Sequence, residues 1–215
     1  MCEKVKKLTK LFIVIPCYNE GEVLFETAKR LKVKVGGMIE SEKISKDSKI
    51  IFVDDGSKDN TWEIIEKLHN EDDLFSGCKL SRNRGHQNAL LAGLSCAKGE
   101  CDAVISMDAD LQDDIEVIDK FVEEYENGNE VVYGVRNNRE KDSKFKKLTA
   151  EGFYKFMNFM GAEVVFNHAD YRLLGSKALD GLFEFSEVNL FLRGLVPLVG
   201  FKSTGGDYER NERFA

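Results

Sequence analysis

The sequence predicts an α/β domain with a mostly parallel, Rossmann-like central sheet flanked by helices, and three observations carry that prediction. Short apolar runs rich in β-branched residues recur at 11–15, 50–53, 104–107 and 131–133. Segments of helical period separate them, and strands alternating with helices build parallel sheets. Each run is followed by unusual polar residues, and in open α/β sheets ligands sit beyond the carboxyl ends of the strands.

The elements follow in order. After the first strand, residues 20–34 read as a helix, closed by a Gly36-Gly37 break and a polar connection through Ser48. Asn60-Thr61-Trp62-Glu63 offers an N-cap candidate with Glu three residues on, opening a helix toward Leu68. Past Cys78-Lys79-Leu80, the compact Ala- and Leu-rich stretch 88–97 packs on the sheet. Residues 114–125 read as another helix, ended by Asn127-Gly128. A charged loop covers 136–147, and 145–160 sets Phe145, Phe153 and Phe156 among Lys144, Lys146 and Lys147. That segment suits a core-facing amphipathic helix or a helix lying on an anionic membrane surface, and the sequence leaves both open. Gly205-Gly206 reads as a flexible turn rather than a phosphate cradle, since no helix clearly follows it.

Composition bounds the function. At 215 residues, 42% hydrophobic and 32% charged, the chain fits one soluble domain with a real core. Its longest apolar stretch, 190–201, is interrupted by Arg193, and no signal h-region is present, so a cytosolic location is expected. Five cysteines without a CxxC pair suggest reduced thiols. A net charge of −7 argues against nucleic acid as a partner.

The chemistry centres on Asp108-Ala109-Asp110, at the end of the fourth run. On a strand of period two both carboxylates point the same way. Two like charges held that close call for a cation. Carboxylate oxygens suit Mg²⁺ or Mn²⁺, which takes one or two carboxylates plus substrate phosphates, so the expected ligand is a metal-bound diphosphate. After the second run, Asp54-Asp55-Gly56-Ser57 places acids to accept from a ribose hydroxyl or a base N–H.

These stretches carry a resemblance. Val14-Ile15-Pro16-Cys17-Tyr18-Asn19-Glu20, Phe52-Val53-Asp54-Asp55-Gly56-Ser57, Ser81-Arg82-Asn83-Arg84-Gly85-His86-Gln87, Met107-Asp108-Ala109-Asp110-Leu111-Gln112, Asp170-Tyr171-Arg172-Leu173-Leu174, Arg193-Gly194-Leu195 and Tyr208-Glu209-Arg210 stand in family order along nearly the whole chain. Together they resemble family 2 inverting glycosyltransferases of the GT-A fold, of the polyprenyl-phosphate type (dolichol-phosphate-mannose synthase, bactoprenol glucosyltransferase). The resemblance implies one GT-A catalytic domain over 1–215, with 1–135 binding the nucleotide sugar and 136–215 the acceptor. Pro16, Tyr18, Asn19, Glu20, Asp54, Asp55 and Gln87 would hold the nucleotide sugar with Asp108, Ala109, Asp110 and Gln112. Asp108, Asp110 and Gln112 would bind Mg²⁺ or Mn²⁺ with the diphosphate. Arg136, Arg139, Arg210 and Arg213 would take phosphate, for which the planar guanidinium fork is suited. Asp170 would act as base or orient the acceptor, and His86 would shape the donor pocket.

The implied reaction moves a sugar from a UDP-sugar, ahead of a GDP-sugar, to a polyprenyl phosphate at the cytoplasmic face of the membrane. The implied full-length protein is membrane-anchored beyond this soluble chain, with homo-oligomers among its states. The sequence departs from the pattern at Arg84, at Asp113-Asp114 and at His168-Ala169. Other readings are weaker. A nucleotidyltransferase needs a Gly- and Lys-rich loop after the first strand, and a haloacid-dehalogenase-like phosphatase puts its Asp-x-Asp there. A soluble transferase acting on a saccharide hydroxyl and a silent nucleotide-sugar-binding module stay open.

Overall fold

The computed structural model describes residues 7–136, 168–185 and 192–208. Their strands are β1 (Leu11–Cys17), β2 (Lys49–Asp54), β3 (Phe75–Lys79), β4 (Ala103–Ser106), β5 (Val131–Arg136), β6 (His168–Gly175) and β7 (Ser203–Tyr208). They form one sheet in the order β3-β2-β1-β4-β6-β5-β7. All neighbours pair in parallel except β6, which runs antiparallel to both β4 and β5. The helices are α1 (Leu24–Glu40), α2 (Thr61–Glu71), α3 (His86–Ala97), α4 (Ile118–Glu126), α5 (Ser176–Leu182) and α6 (Leu192–Leu198).

Both faces of the sheet are covered, which is why its central strands read as continuous apolar runs. Leu11, Ile13 and Ile15 face α1, α2 and α4, whereas Phe12 and Val14 face α3, α5 and α6. Helix α3 lies very close. A Cβ on Gly93 would come within 2.3 Å of Val14 Cγ1 and 2.7 Å of Val53 Cγ2.

Several sequence expectations need correction. Helix α1 runs through Gly36-Gly37 to Glu40. Each glycine costs about 1 kcal/mol relative to Ala, but Val35 and Met38 continue the buried stripe of Leu24, Ala28 and Leu31. Burial of each such side chain contributes about 1.5–3 kcal/mol, so packing wins. At the start of α2, Asn60 occupies the cap position with ψ of 16° and makes no side-chain cap bond. Asp59 takes that role, accepting from Thr61 N at 3.1 Å and Thr61 Oγ1 at 2.6 Å. Gly205 and Gly206 are not a turn but lie in β7, paired with Tyr133 and Gly134. A Cβ on Gly206 would meet the Phe121 ring at 2.8 Å, so glycine there serves close packing.

The loop from 137 onward and the amphipathic segment 145–160 lie outside the described residues, as do Arg139, Arg210 and Arg213. Among the described residues no helix is long and apolar enough to cross a membrane.

Candidate active site

Strand β4 ends at Ser106, so Asp108 and Asp110 stand in the turn beyond it, and strand alternation does not set their direction. The turn is fixed from several sides instead. Buried Thr27 of α1 donates from Oγ1 to the Ala109 carbonyl at 2.7 Å. Leu111 adopts φ of 58°, a left-handed conformation that costs a non-glycine residue about 1–2 kcal/mol. Gln112 N donates to Asp110 Oδ1 at 3.1 Å across that bend. Asp113, one of the acidic departures, is buried: Oδ1 accepts from Tyr208 OH at 2.8 Å and Oδ2 lies 3.5 Å from Asp108 N. Its neighbour Asp114 caps the short 3₁₀ turn Ile115–Val117 by accepting from Glu116 N. Tyr171 completes the support, donating its OH to the Asp114 carbonyl at 2.9 Å and packing edge-on against Tyr208. Burial, with Asp113 and Asp114 close by, pushes the Tyr171 hydroxyl well above the usual tyrosine range, so it stays a donor.

The loops after β1 and β2 are stitched together. Asn19, at φ of 55°, donates its N–H to Ser57 Oγ at 2.9 Å, and its Oδ1 accepts from Lys58 N at 2.8 Å. Glu20 N donates to Thr61 Oγ1 at 3.0 Å. Asp54 is fully buried; one carboxylate oxygen accepts from Ser57 N at 3.0 Å and the other has no hydrogen-bond partner. Asp55 reaches across to the loop after β3, accepting from Arg84 N at 2.7 Å and Gly85 N at 2.8 Å. Gly56, at φ of 69°, makes this approach feasible, since a Cβ would fall 2.6 Å from the Arg82 carbonyl carbon.

Between these loops lies a cavity of about 350 Å³. Pro16, Tyr18 and Glu20 line one side, Asp55 with Asn83, Gly85 and His86 another, and Asp108-Ala109-Asp110 the third. Seven of the eleven nucleotide-sugar candidates named from sequence therefore share one cleft. Asn19 and Asp54 brace its loops from behind. Gln112 follows the bend, and Gln87 buries an Oε1 that has no hydrogen-bond partner.

Asp170 stands beside this cleft on β6. The β4–β6 register pairs Ser106 with Arg172, and Ser106 Oγ donates to the Asp170 carbonyl. Arg172, 2% exposed, donates to Asp170 Oδ1 at 2.6 Å. His86 Nε2 lies 3.7 Å from Asp170 Oδ2 and 3.8 Å from Asp108 Oδ1. Sequence reasoning missed the buried arginine, although Asp170 and Arg172 share a strand face by their spacing of two. Arg136 closes β5.

The donor set fits a hard divalent cation with a diphosphate. Among the described residues no three His, Cys, Asp or Glu side chains form a ready cage. Asp108 and Asp110 nonetheless face one cavity, the one or two carboxylates such an ion takes when phosphates complete its shell.

The fold is that of the GT-A glycosyltransferases. It matches the Pyrobaculum calidifontis mannosyltransferase PcManGT in complex with GDP-Man and Mn²⁺ at a TM-score of 0.64 and 15% identity, covering 98% of this chain and 58% of that one. The Mycobacterium tuberculosis glucosyl-3-phosphoglycerate synthase, in complex with Mn²⁺, UDP and glucosyl-3-phosphoglycerate, matches at 0.63 and 12% identity, covering 96% and 73%. The Glycosyl transferase family 2 model matches residues 12–183, and the chain belongs to that family. It is 53% identical over 205 residues to YkoT, an uncharacterized glycosyltransferase of Bacillus subtilis (strain 168), covering 95% of this chain and 61% of that protein. It is 36% identical over 210 residues to a prophage bactoprenol glucosyl transferase homolog of Escherichia coli (strain K12), covering 96% and 65%. The chain thus spans less than two thirds of the length of these curated relatives.

Proposed function

We propose that this chain is the catalytic domain of an inverting, metal-dependent glycosyltransferase that moves a sugar from a nucleotide-diphosphate sugar to a polyprenyl phosphate at the cytoplasmic face of the membrane. The observation that carries the reading is the cleft in which Asp55, Asp108 and Asp110 meet at the carboxyl ends of β2 and β4. The names of the bactoprenol relatives support the acceptor class. The two solved complexes support a UDP- or GDP-sugar and Mn²⁺, with Mg²⁺ the alternative; the UDP-sugar is our choice.

In this reading Tyr18, Glu20 and Asp55 hold the nucleoside end, while Asp108 and Asp110 hold the metal with the diphosphate. The bound metal supplies Lewis-acid stabilisation of charge developing on the leaving diphosphate. Residues 1–135 form the donor side and 136–215 the acceptor side, where Arg136, Arg139, Arg210 and Arg213 meet phosphate. Asp170 orients the acceptor. Its ion pair with Arg172 holds the carboxylate in place, and an acceptor that is already anionic near neutral pH needs little help from a base.

The test is thermal unfolding with UDP, GDP and ADP, each with and without Mn²⁺. At about a hundred times its Kd, a nucleotide adds roughly 2.7 kcal/mol to the folded state, an upward shift of several degrees. A metal-dependent shift with one nucleotide is expected. No shift with any of the three would overturn the reading.

A further inference from the structure

His86 stands between carboxylates that belong to different halves of the site. Asp108 lies on the loop after β4 and Asp170 on β6, the antiparallel neighbour of β4, and both carboxylates approach the same His86 nitrogen. At 3.8 and 3.7 Å, His86 Nε2 is beyond hydrogen-bond length from both, so the imidazole is shared between them and committed to neither.

The histidine itself is firmly delivered. Asp55 grips the two N–H groups just before it, and His86 is the first residue of α3, which Gly93 seats closely on Val14 and Val53. Asp170 has Oδ1 on buried Arg172. A donor on Oδ2 fixes the plane of the carboxylate.

We propose that His86 is a positioning residue that couples the donor site to the acceptor site. When Asp108 is engaged by the donor, the His86 Nε2–H turns to Asp170, and Arg172 and His86 together hold that carboxylate in the orientation the acceptor meets. A neutral imidazole suffices, because one N–H is all the contact needs. The inference rests on the glycosyltransferase reading above.

The experiment measures the Kd of polyprenyl phosphate in detergent micelles with and without saturating UDP and Mn²⁺, for the parent chain and for His86→Ala, His86→Gln and His86→Asn. Coupling between two sites typically changes affinity by about 5–150-fold. The parent is expected to bind the lipid phosphate at least about fivefold more tightly when UDP and Mn²⁺ are present. His86→Ala should bring that ratio to about one, measured at UDP and Mn²⁺ concentrations that saturate the variant. Gln, whose amide N–H reaches about as far as Nε2, should restore the ratio, and the shorter Asn should not. That Gln/Asn split is a readout a purely structural role would not give, and it stands even where the Ala variant fails to fold. A parent without coupling, or a coupling unchanged in His86→Ala, would overturn the proposal. Failure of the parent to bind any nucleotide would sink the underlying reading instead.

Discussion

Asp55→Ala tests how the cleft is built. Asp55 is 3% exposed and accepts two backbone N–H groups of the loop that carries Asn83, Gly85 and His86 into the cavity. A hydrogen bond to a charged group contributes about 1.5–3 kcal/mol, so the two together give about 3–6 kcal/mol gross. Arg84 and Gly85 are exposed, and their freed N–H groups return to water, which offsets about half. A net loss of about 1.5–3 kcal/mol remains, and for a domain of this size that lowers Tm by about 3–12 °C. Circular dichroism melts of the parent, Asp55→Ala and Asp55→Asn provide the assay. Asn keeps one acceptor oxygen and turns an amide N–H toward the other donor, so it should recover less than half of the loss. An Ala variant that melts within about one degree of the parent would refute the idea that Asp55 holds this loop.

Other perturbations give separate readings. Asp110→Asn keeps the acceptor for Gln112 N, so Tm without ligand should hold within a few degrees while Mn²⁺-dependent UDP binding, measured by calorimetry, is lost; severe unfolding would count against the site. Tyr208→Phe removes the buried donor to Asp113 Oδ1 and should cost about 1–3 kcal/mol in urea unfolding. Gly93→Ala overpacks α3 against Val14 and Val53 and should cost about 1–3 kcal/mol or more, seen in the same denaturant series. Acid sensitivity follows from Asp72, Asp102 and Asp119. Burial pushes Asp102 and Asp119 up, but hydrogen bonds from Lys7 and the Lys10 N–H to the first and from Lys34 and Lys43 to the second outweigh it. Lys32 chiefly lowers Asp72, so all three carboxyls end below the usual range. Groups depressed in the folded state contribute stability above their unfolded pKa, near 4, and lose it as pH falls further. Tm should therefore be level from pH 8 to about 5 and drop below about 4; a Tm that rises on acidification would contradict this.

Much of the scaffold was legible because β-branched runs and helical periods are local signals. The polar residues after β1, β2 and β4 were readable for the same reason, as every parallel strand delivers its carboxyl end to one edge. What the sequence hid depends on contacts between distant segments. Gly36-Gly37 looks like a break until Val35 and Met38 are seen to be buried. Gly205-Gly206 looks like a turn until the Phe121 ring and Val135 are found where side chains would go. The approach of His86 to Asp108 and Asp170 was invisible because it needs α3 and β6 to be set beside the loop after β4, which local pattern does not carry. Nor does residue type reveal that Asp54 Oδ1 accepts from Ser57 N in its own loop and Asn19 Oδ1 from Lys58 N in the loop after β2.

The placement of β6 has a consequence for diversification. Strands β5 and β6 are adjacent and antiparallel, so the segment that joins them leaves and re-enters the sheet at neighbouring positions. Its two ends, Arg136 and His168, are held side by side by that pairing. Asp170 sits two residues into β6, so the same pairing fixes its station beside the cleft lined by Asp108 and Asp110. On the proposed function, exchanging residues 137–167 between relatives tests whether the choice of acceptor can change while nucleotide binding is kept.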